Sequence, residues 1–335
     1  MKILVTGGTG FIGSFVAVEL IKAGHEVEIV DNLCNSKEST IDRIEEITSI
    51  RPKFHKLDLC DAELTNKLFE DNSYDAVIHL AGLKSVSESI EKPELYHDNN
   101  VGSASNVIDA MRSTGVKYFV FSSSATVYGN PGVVSFTEDL PTGKNLSSPY
   151  GESKFEIEQM LKSEAERDRD FHASLLRYFN PIGADPSGKL GEEPNGRPNN
   201  LMPIIMKVAK GDIPELSVYG NDYPTPDGTC IRDYIHVIDL AKGHLAALEH
   251  LVNNPDDNLQ IYNLGTGKGT SVLEMISAFE KASGKKLPYK IVDRRPGDLP
   301  EFYADPTKAE KELGWKTELT INDAMRDTIN YLNNN

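Results

Sequence analysis

Apolar residues follow two alternating patterns along the first half of the chain. The short run over 2–6 predicts a buried strand, and the helix-spaced apolar residues between 12 and 21 predict a helix that stops at Gly24. Further strands are predicted over 26–30, 54–57, 76–80, 118–122 and 173–177, and further helices over 101–111 and 150–161. Strands that alternate with helices of ten or more residues indicate a parallel sheet with helices on both faces.

The pattern changes after about residue 180. Proline, glycine, asparagine and aspartate are dense over 181–226, which predicts loops, and helical spacing then returns over 239–251, 272–282 and 321–331. We therefore expect an α/β protein with a Rossmann-like doubly wound parallel sheet in residues 1–180. Residues 181–335 are expected to form a smaller, loop-rich α/β domain, with the ligand between the two.

Charge and cysteine content narrow the possible partners. The 335 residues include 51 acidic and 35 basic side chains, a formal net charge of −16. Nucleic acids and anionic membranes need massed basic charge, so we expect neither as a partner. Three cysteines far apart in the sequence predict neither a disulfide framework nor a metal site. With no apolar run near the ~20 residues of a membrane span and no leader-like start, a cytoplasmic protein is expected.

A glycine-rich turn stands between the first predicted strand and the first predicted helix. Gly7, Gly10 and Gly13 follow the spacing G-x-x-G-x-x-G, and glycine lets a pyrophosphate approach the backbone at a helix N-terminus. Asp31 lies at the end of the next predicted strand, where a carboxylate can accept both ribose hydroxyls of NAD and repel a 2′-phosphate. These features together predict a site for NAD.

Two further motifs are suited to acid–base chemistry. Tyr150 and Lys154 are four residues apart and share one predicted helix face, so the ammonium can favour the phenolate. Ser122 ends a buried predicted strand and Ser124 follows it, and the carboxyl ends of parallel strands are where ligands bind. A surface pair and an ordinary strand end are the alternatives for each motif alone. The three motifs in combination are much more specific than any one of them.

These motifs make the chain resemble the extended short-chain dehydrogenase/reductase family over essentially its whole length. Within that family it is similar to enzymes that epimerise UDP-hexoses at C4. The resemblance rests on the segments 7–13, 31–36, 79–84, 99–101, 122–129, 148–151, 176–181, 198–203, 220–225, 232–237 and 294–298. It implies an isomerase that interconverts UDP-galactose and UDP-glucose with bound NAD, and it implies a homodimer formed through helices of the large domain.

The resemblance also implies the roles of individual residues. The catalytic set is Ser124, Tyr150 and Lys154, with Tyr150 as acid and base around a 4-keto intermediate while hydride passes to NAD and back. The residues implied around NAD are Gly7, Gly10, Phe11, Ile12, Gly13, Asp31, Asn32, Leu33, Cys34, Asn35, Ser36, Asp58, Leu59, Leu80, Ala81, Gly82, Leu83, Lys84, Asn99, Ser122, Tyr150, Lys154 and Phe179. Those implied around the UDP-sugar are Lys84, Ser124, Tyr150, Asn180, Asn200, Leu201, Ser217, Val218, Tyr219, Arg232, Arg295, Asp298 and Phe302.

Two positions depart from many relatives, and other functions stay open. Leu80 stands where many relatives carry an aromatic residue, and Phe302 stands where the resemblance places the residue that bounds the sugar pocket. A bulky Phe302 is expected to exclude N-acetylated sugars. The alternatives are a C4 epimerase of a UDP-linked uronic acid, pentose or N-acetylhexosamine, a nucleotide-sugar dehydratase, and a non-catalytic NAD sensor. The segment 124–126 lacks the two carboxylates of a dehydratase, and a sensor has no use for a tuned phenolate.

Overall fold

The computed structural model describes residues 1–193, 198, 200–295 and 297–335. The strands are β1 (Lys2–Thr6), β2 (Glu26–Asp31), β3 (Lys53–Lys56), β4 (Ala76–His79), β5 (Tyr118–Ser124), β6 (Ser135–Phe136), β7 (His172–Tyr178), β8 (Asn180–Ile182), β9 (Leu216–Tyr219), β10 (Ile231–Arg232), β11 (Tyr234–His236), β12 (Leu259–Leu264), β13 (Thr270–Ser271), β14 (Tyr289–Val292) and β15 (Glu301–Ala304). The helices are α1 (Phe11–Lys22), α2 (Thr40–Thr48), α3 (Ala62–Asp71), α4 (Val86–Glu91), α5 (Pro93–Thr114), α6 (Pro149–Arg167), α7 (Leu201–Lys210), α8 (Val237–Asn253), α9 (Val272–Ser283), α10 (Thr307–Leu313) and α11 (Ile321–Asn334), with a 3₁₀ turn over Ala125–Tyr128.

Seven strands form the main sheet, in the order β12-β7-β5-β4-β1-β2-β3, and every neighbouring pair is parallel. The chain builds β2 and β3 on one side of β1 and then crosses to β4 on the other side. This crossing creates a switch point between β1 and β4, where the loops at the carboxyl ends diverge and leave a crevice. The predicted α/β class with a doubly wound parallel sheet is confirmed.

Both faces of the main sheet are covered, which explains why its strands are apolar without alternation. Ile3 and Val5 of β1 belong to a core that includes α1 and α8. Leu4, between them, points to the opposite face and joins a second core with α5 and α6. Because helices cover both faces, the carboxyl edge is the part of the sheet that a ligand can reach.

Two segments differ from the expected pattern in a way that matters for the site. Helix α5 begins at Pro93, ahead of the predicted start at 101, because proline is well suited to the first helical turn and Tyr96 and Asn100 are buried along that added stretch. Helix α7 lies within 181–226, where loops were predicted. Its apolar residues Met202, Ile205 and Val208 pack into a third core with α9 and α11. The helix was not predicted because glycine and proline are dense in the sequence around it.

The chain after residue 180 does not stay apart from the main sheet. Strand β12 pairs with β7 at the sheet edge, and α8 packs against α1. The remaining strands form three smaller sheets, β13-β10-β15-β6, β11-β8 and β14-β9, and β6 and β8 follow β5 and β7 of the main sheet along the chain. The division at residue 180 therefore stays a prediction about which residues bind which ligand, because strands from both parts of the chain form the main sheet.

In the described part of the chain, no helix has the length and apolar character that crossing a membrane requires.

Candidate active site

The residues predicted around NAD converge on the carboxyl edge of the main sheet. Most lie in the turns that follow β1, β2, β3, β4 and β7, and Ser122 lies in β5 itself, so that segments distant in sequence become neighbours. Asn99 is supplied by α5, and Tyr150 and Lys154 are supplied by α6. The parallel sheet thus brings these predicted residues to one crevice, as the strand order requires.

The glycines after β1 let the turn pack closely against neighbouring backbone and bring the N-terminus of α1 to the carboxyl edge of the sheet. Gly7 has φ of +66°, and a Cβ added there would lie 2.8 Å from the amide nitrogen of Ala81. A Cβ on Gly13 would lie 2.3 Å from the carbonyl oxygen of Gly7. Gly10 caps α1 without a side-chain hydrogen bond, so the first N–H groups and the positive end of the helix dipole can face an anion. This arrangement is suited to the pyrophosphate of NAD.

Asp31 organises the loop on which a ribose of NAD is expected to bind. Its carboxylate accepts hydrogen bonds from the amide of Leu33 at 2.9 Å, from the amide of Thr9 at 3.3 Å and from the hydroxyl of Ser36 at 3.1 Å. The side chain of Asn32 donates to Asp58 at 3.2 Å, which joins this loop to the turn after β3. These bonds hold the Asp31 carboxylate in place at the crevice.

The loop after β4 is held by side chains from two other elements. Thr6 Oγ1 accepts hydrogen bonds from the amides of Leu80 and Ala81, both at 3.2 Å. Asn100 accepts from the amide of Leu83 at 2.7 Å. Lys84 forms an ion pair of 2.9 Å with Glu192, a buried carboxylate. The predicted ligand residue Lys84 is therefore positioned by a partner that sequence reasoning did not identify.

Helix α6 begins beside the end of β5, and its first turns carry Tyr150 and Lys154. Ser148 caps the helix by accepting a hydrogen bond from the amide of Gly151 at 3.2 Å, and Pro149 occupies the first turn. The cap sets where the helix starts and so which residues face the sheet. Lys154 Nζ lies 5.9 Å from the centre of the Tyr150 ring, so the predicted pair shares one helix face.

Lys154 is a nearly fully buried ammonium group. Its side chain donates to the carbonyl oxygen of Ser122 at 2.7 Å and lies 4.9 Å from the centre of the Phe121 ring. Burial disfavours the charged form and lowers the pKa of Lys154 to about 8. No carboxylate in the described residues forms an ion pair with it. The ammonium therefore depends on the strand end for its hydrogen bond.

The phenol of Tyr150 is subject to two opposing influences. Burial raises its pKa above the ordinary tyrosine value, and hydrogen bonding by the Ser124 side chain counters part of that rise. Ser124 is itself held by the amide of Thr126 at 3.2 Å and by the hydroxyl of Thr126 at 3.0 Å. Thr126 thus orients the hydroxyl that meets Tyr150, a supporting role that the motif alone did not reveal.

Five of the residues predicted around the UDP-sugar form a second cluster at the rim of the crevice. Asp298 accepts from Arg295 at 2.9 Å and lies 3.6 Å from Arg232. The Arg295 guanidinium lies 4.9 Å from the centre of the Tyr219 ring, and that of Arg232 lies 4.5 Å from the Phe302 ring. The pairing of β10 with β15 places Arg232 opposite Phe302. The cluster combines two cations with two aromatic faces.

The other residues on the substrate side are more dispersed. Asn180 begins β8 and donates through its side chain to the carbonyl oxygen of Asp233 at 3.0 Å. Asn200 and Leu201 stand at the start of α7. On β9, Ser217 is half-buried, but Val218 is fully buried in the third core, so its side chain packs against apolar residues instead of facing the crevice. The side chain of Val218 is therefore not available to a ligand.

Three comparisons with known proteins agree with this geometry. A model described as the NAD dependent epimerase/dehydratase family matches residues 3–265. The UDP-glucose 4-epimerase of Haemophilus influenzae is 51% identical over 335 residues, which are 100% of this chain and 98% of that protein. The crystal structure of the Bifidobacterium longum UDP-glucose 4-epimerase with NAD+ and UDP has a TM-score of 0.95 and 49% identity, and covers 100% of this chain and 99% of that one.

A second solved structure extends the range of sugars seen among similar proteins. It is the UDP-glucose-4-epimerase of Stenotrophomonas maltophila with bound NAD and formylated UDP-arabinopyranose. Its TM-score is 0.96 and its identity is 46%, with 100% of this chain and 98% of that chain covered. The similarity spans the main sheet and both residue clusters in this chain.

The buried ammonium of Lys154 predicts a pH-dependent contribution to stability. The folded chain releases this proton near pH 8, whereas an unfolded lysine keeps it to a pKa of 10.5. Unfolding therefore takes up a proton between these values, and stability rises with pH relative to a Lys154→Met variant. We expect the unfolding free energy of the wild type, measured relative to that of the variant, to rise by about 2 kcal/mol between pH 7 and pH 10. Urea unfolding of both proteins at each pH measures the gain, and a constant difference would contradict it.

Proposed function

The chain belongs to the NAD dependent epimerase/dehydratase family, and we propose the residues with which it interconverts UDP-galactose and UDP-glucose. The observation that carries the proposal is the set of Tyr150, Lys154 and Ser124, gathered at the carboxyl end of β5. When bound, NAD would accept a hydride from C4 of the sugar reversibly. Its oxidised form would also carry a positively charged nicotinamide ring.

Tyr150 is proposed to move the proton of the sugar 4-hydroxyl. In one half of the reaction the phenolate takes this proton as C4 becomes a ketone, and in the other half the phenol returns it to the oxygen of the 4-keto sugar. Burial raises the pKa of Tyr150, and Ser124 counters part of that rise by hydrogen bonding. Positive charge close to the phenol lowers its pKa further, and Lys154 lies in position to supply it.

The Arg232–Arg295 cluster is proposed to hold the diphosphate and uridine. Guanidinium groups suit phosphate oxygens because their N–H donors match the spacing of two oxygens. Asp298 keeps the two arginines together, and it can also accept from ribose hydroxyls. Tyr219 is 38% exposed beside Arg295, so its face is available to stack on the uracil. Residues 181–335 thus supply most of the UDP-sugar contacts, and residues 1–180 supply those of NAD.

Phe302 is proposed to limit the size of the sugar. Its ring stacks on Phe136 at 5.5 Å and packs 5.9 Å from the ring of Phe179, which is predicted to lie near NAD. Its other neighbour is Arg232, which is predicted to lie near the diphosphate. Phe302 therefore stands between the places proposed for the two ligands, where the sugar must lie. A bulky, well-packed ring at this position leaves little room for an N-acetyl group.

The second copy in a homodimer is proposed to cover the outer side of the helices near the active site. Val86 and Ile90 share one face of α4, and Leu95 follows on α5, with exposed fractions of 40%, 61% and 46%. Several large apolar side chains exposed on neighbouring helices are typical of an interface. The half-buried Phe155 and Met160 lie on α6, the neighbour of both helices.

We also propose a cytoplasmic location, which fits the three free cysteines Cys34, Cys60 and Cys230.

The first test of the proposed function is conversion of UDP-galactose to UDP-glucose by the purified protein without added NAD. Tyr150→Phe removes only the hydroxyl, so this variant is expected to fold and to retain NAD. Its kcat should fall by about 10²–10⁴-fold, the usual contribution of a positioned acid and base. Product formation is followed by chromatography of the two nucleotide sugars, and bound NAD by its absorbance after denaturation.

The matched control is Tyr289→Phe, which removes the same hydroxyl from an exposed tyrosine on β14. Turnover of this control should equal that of the wild type. If the wild type yields no UDP-glucose even with NAD supplied, the epimerase function is wrong for this chain. If Tyr150→Phe turns over normally, the role given to Tyr150 is wrong.

Replacing Phe302 by serine is expected to admit N-acetylated substrates. The smaller side chain opens space beside Phe136 and Phe179, so kcat/KM for UDP-N-acetylglucosamine should rise by about tenfold or more relative to that for UDP-glucose. The ratio between the two substrates serves as the internal control, because partial unfolding lowers both rates equally. Comparable turnover of both substrates by the wild type would contradict the role given to Phe302.

The proposed homodimer predicts a mass of two chains in sedimentation equilibrium. Leu95→Arg places a charge in the apolar surface and should shift the mass toward that of one chain, because an unpaired charge is costly to bury. Ile291→Arg is the control, since Ile291 is similarly exposed on the distant β14. A wild-type protein with the mass of one chain at micromolar concentration would rule the dimer out.

A further inference from the structure

Three successive turns of α6 each meet the end of β5. Tyr150 interacts with the side chain of Ser124, and Lys154 donates to the carbonyl oxygen of Ser122 at 2.7 Å. One turn further along, Glu158 accepts a hydrogen bond from the hydroxyl of Ser123 at 2.6 Å. The spacing of four residues keeps all three α6 residues on one helix face. Glu158 thus holds the same strand end as the two proposed catalytic residues, about 12 Å along the helix axis from Tyr150.

Glu158 is also one half of a completely buried ion pair. Arg177 on β7 donates from Nε to one of its carboxylate oxygens at 2.8 Å and from Nη2 to the other at 2.7 Å. The exposed fractions are 1% for Arg177 and 0% for Glu158. The guanidinium keeps the pKa of Glu158 below its ordinary value although burial acts in the opposite direction. Two parallel hydrogen bonds fix the relative position of α6 and β7 as well as their separation.

The same arginine reaches the segment that follows Ser124. Its Nη1 donates to the hydroxyl of Tyr128 at 3.1 Å, and Tyr128 ends the 3₁₀ turn that begins directly after Ser124. Tyr128 in turn donates to Asn263 on β12 at 2.7 Å. Arg177 therefore connects the helix that carries Tyr150 with the turn that orients Ser124. The proposed mechanism gives no chemical role to either Arg177 or Glu158.

We propose that Glu158 and Arg177 are positioning residues that set the alignment of Tyr150 and Lys154 with Ser124. This inference rests on the proposed function, because it concerns the geometry in which that proton transfer takes place. A buried ion pair by itself is weak proof of a role in stability, since apolar residues of similar volume often replace such pairs without loss. What apolar residues cannot replace are the directed hydrogen bonds to Ser123 and Tyr128, and those bonds lead to the Ser124 segment.

The test compares Glu158→Gln with the wild type in single-turnover conversion of UDP-galactose, with NAD-loaded enzyme in excess over substrate. At enzyme concentrations that saturate the binding of substrate, the rate constant obtained in this way does not depend on what fraction of the protein is folded. If the reacting groups are misaligned by up to about 1 Å, the rate constant of Glu158→Gln should be lower by about 10- to 100-fold. KM should change little, because the diphosphate contacts proposed for Arg232 and Arg295 lie elsewhere.

The matched control is Glu164→Gln on the same helix. Glu164 is also buried and is bound by the fork of Arg112, at 3.1 Å and 2.7 Å, but that arginine belongs to α5 and does not reach the Ser124 segment. This control should keep the wild-type rate constant even where its melting temperature falls. An equal loss of rate in both variants would overturn the inference, since it would show a general requirement for an intact α6.

A double variant, Glu158→Met with Arg177→Met, covers the case in which Glu158→Gln does not fold. It removes both charges of the buried pair and fills a similar volume, and Lys162, which also loses its 3.4 Å contact with Glu158, is 24% exposed to water. It should therefore melt near the wild-type temperature and keep bound NAD while its rate constant is reduced. A wild-type rate constant in this variant, or in a folded Glu158→Gln, would overturn the inference. If the wild type itself fails to convert UDP-galactose, the proposed function fails, and that result is distinct from either outcome.

Discussion

A buried ammonium group at the end of a buried strand is the interaction on which the rest of the site depends. Lys154 is almost excluded from water, so its charge is tolerated only where an oxygen faces it, and the carbonyl of Ser122 supplies that oxygen. The contact holds the first turns of α6 against the carboxyl end of β5. Tyr150, one turn earlier, is thereby brought to Ser124, and Glu158, one turn later, is brought to Ser123.

The sheet determines where such a site can be built. Helices cover both faces of its mostly apolar strands, so the carboxyl edge is the part of the sheet that a ligand can reach. The glycine turn leads at that edge into the N-terminus of α1, which has no side-chain cap and can face a phosphate group, while the two arginines lie at the rim beyond it. A chain with a net charge of −16 can in this way present local positive groups to two anionic ligands. Binding of these anionic ligands therefore depends on the local positive groups and not on the net charge of the chain.

Much of this could be predicted from sequence wherever neighbours in the chain decide the outcome. The spacing of Gly7, Gly10 and Gly13 between a strand and a helix indicated the turn, and the spacing of Tyr150 and Lys154 indicated a shared helix face. The roles of individual site residues came from family resemblance. Helix α7 was missed, because its apolar face is recognisable only once α9 and α11 pack against it. The core position of Val218 was missed for the same reason.

The sequence by itself determined the class of fold, the turn for a dinucleotide and the pairing of a tyrosine with a lysine, because each follows from short-range periodicity and backbone freedom. Only the tertiary structure decided which distant residues support them. Nothing in the pattern linked Glu158 with Arg177, Lys84 with Glu192, or β12 with β7. Those contacts form when strand order and helix packing bring separated segments together, and burial then requires that each charge find a partner.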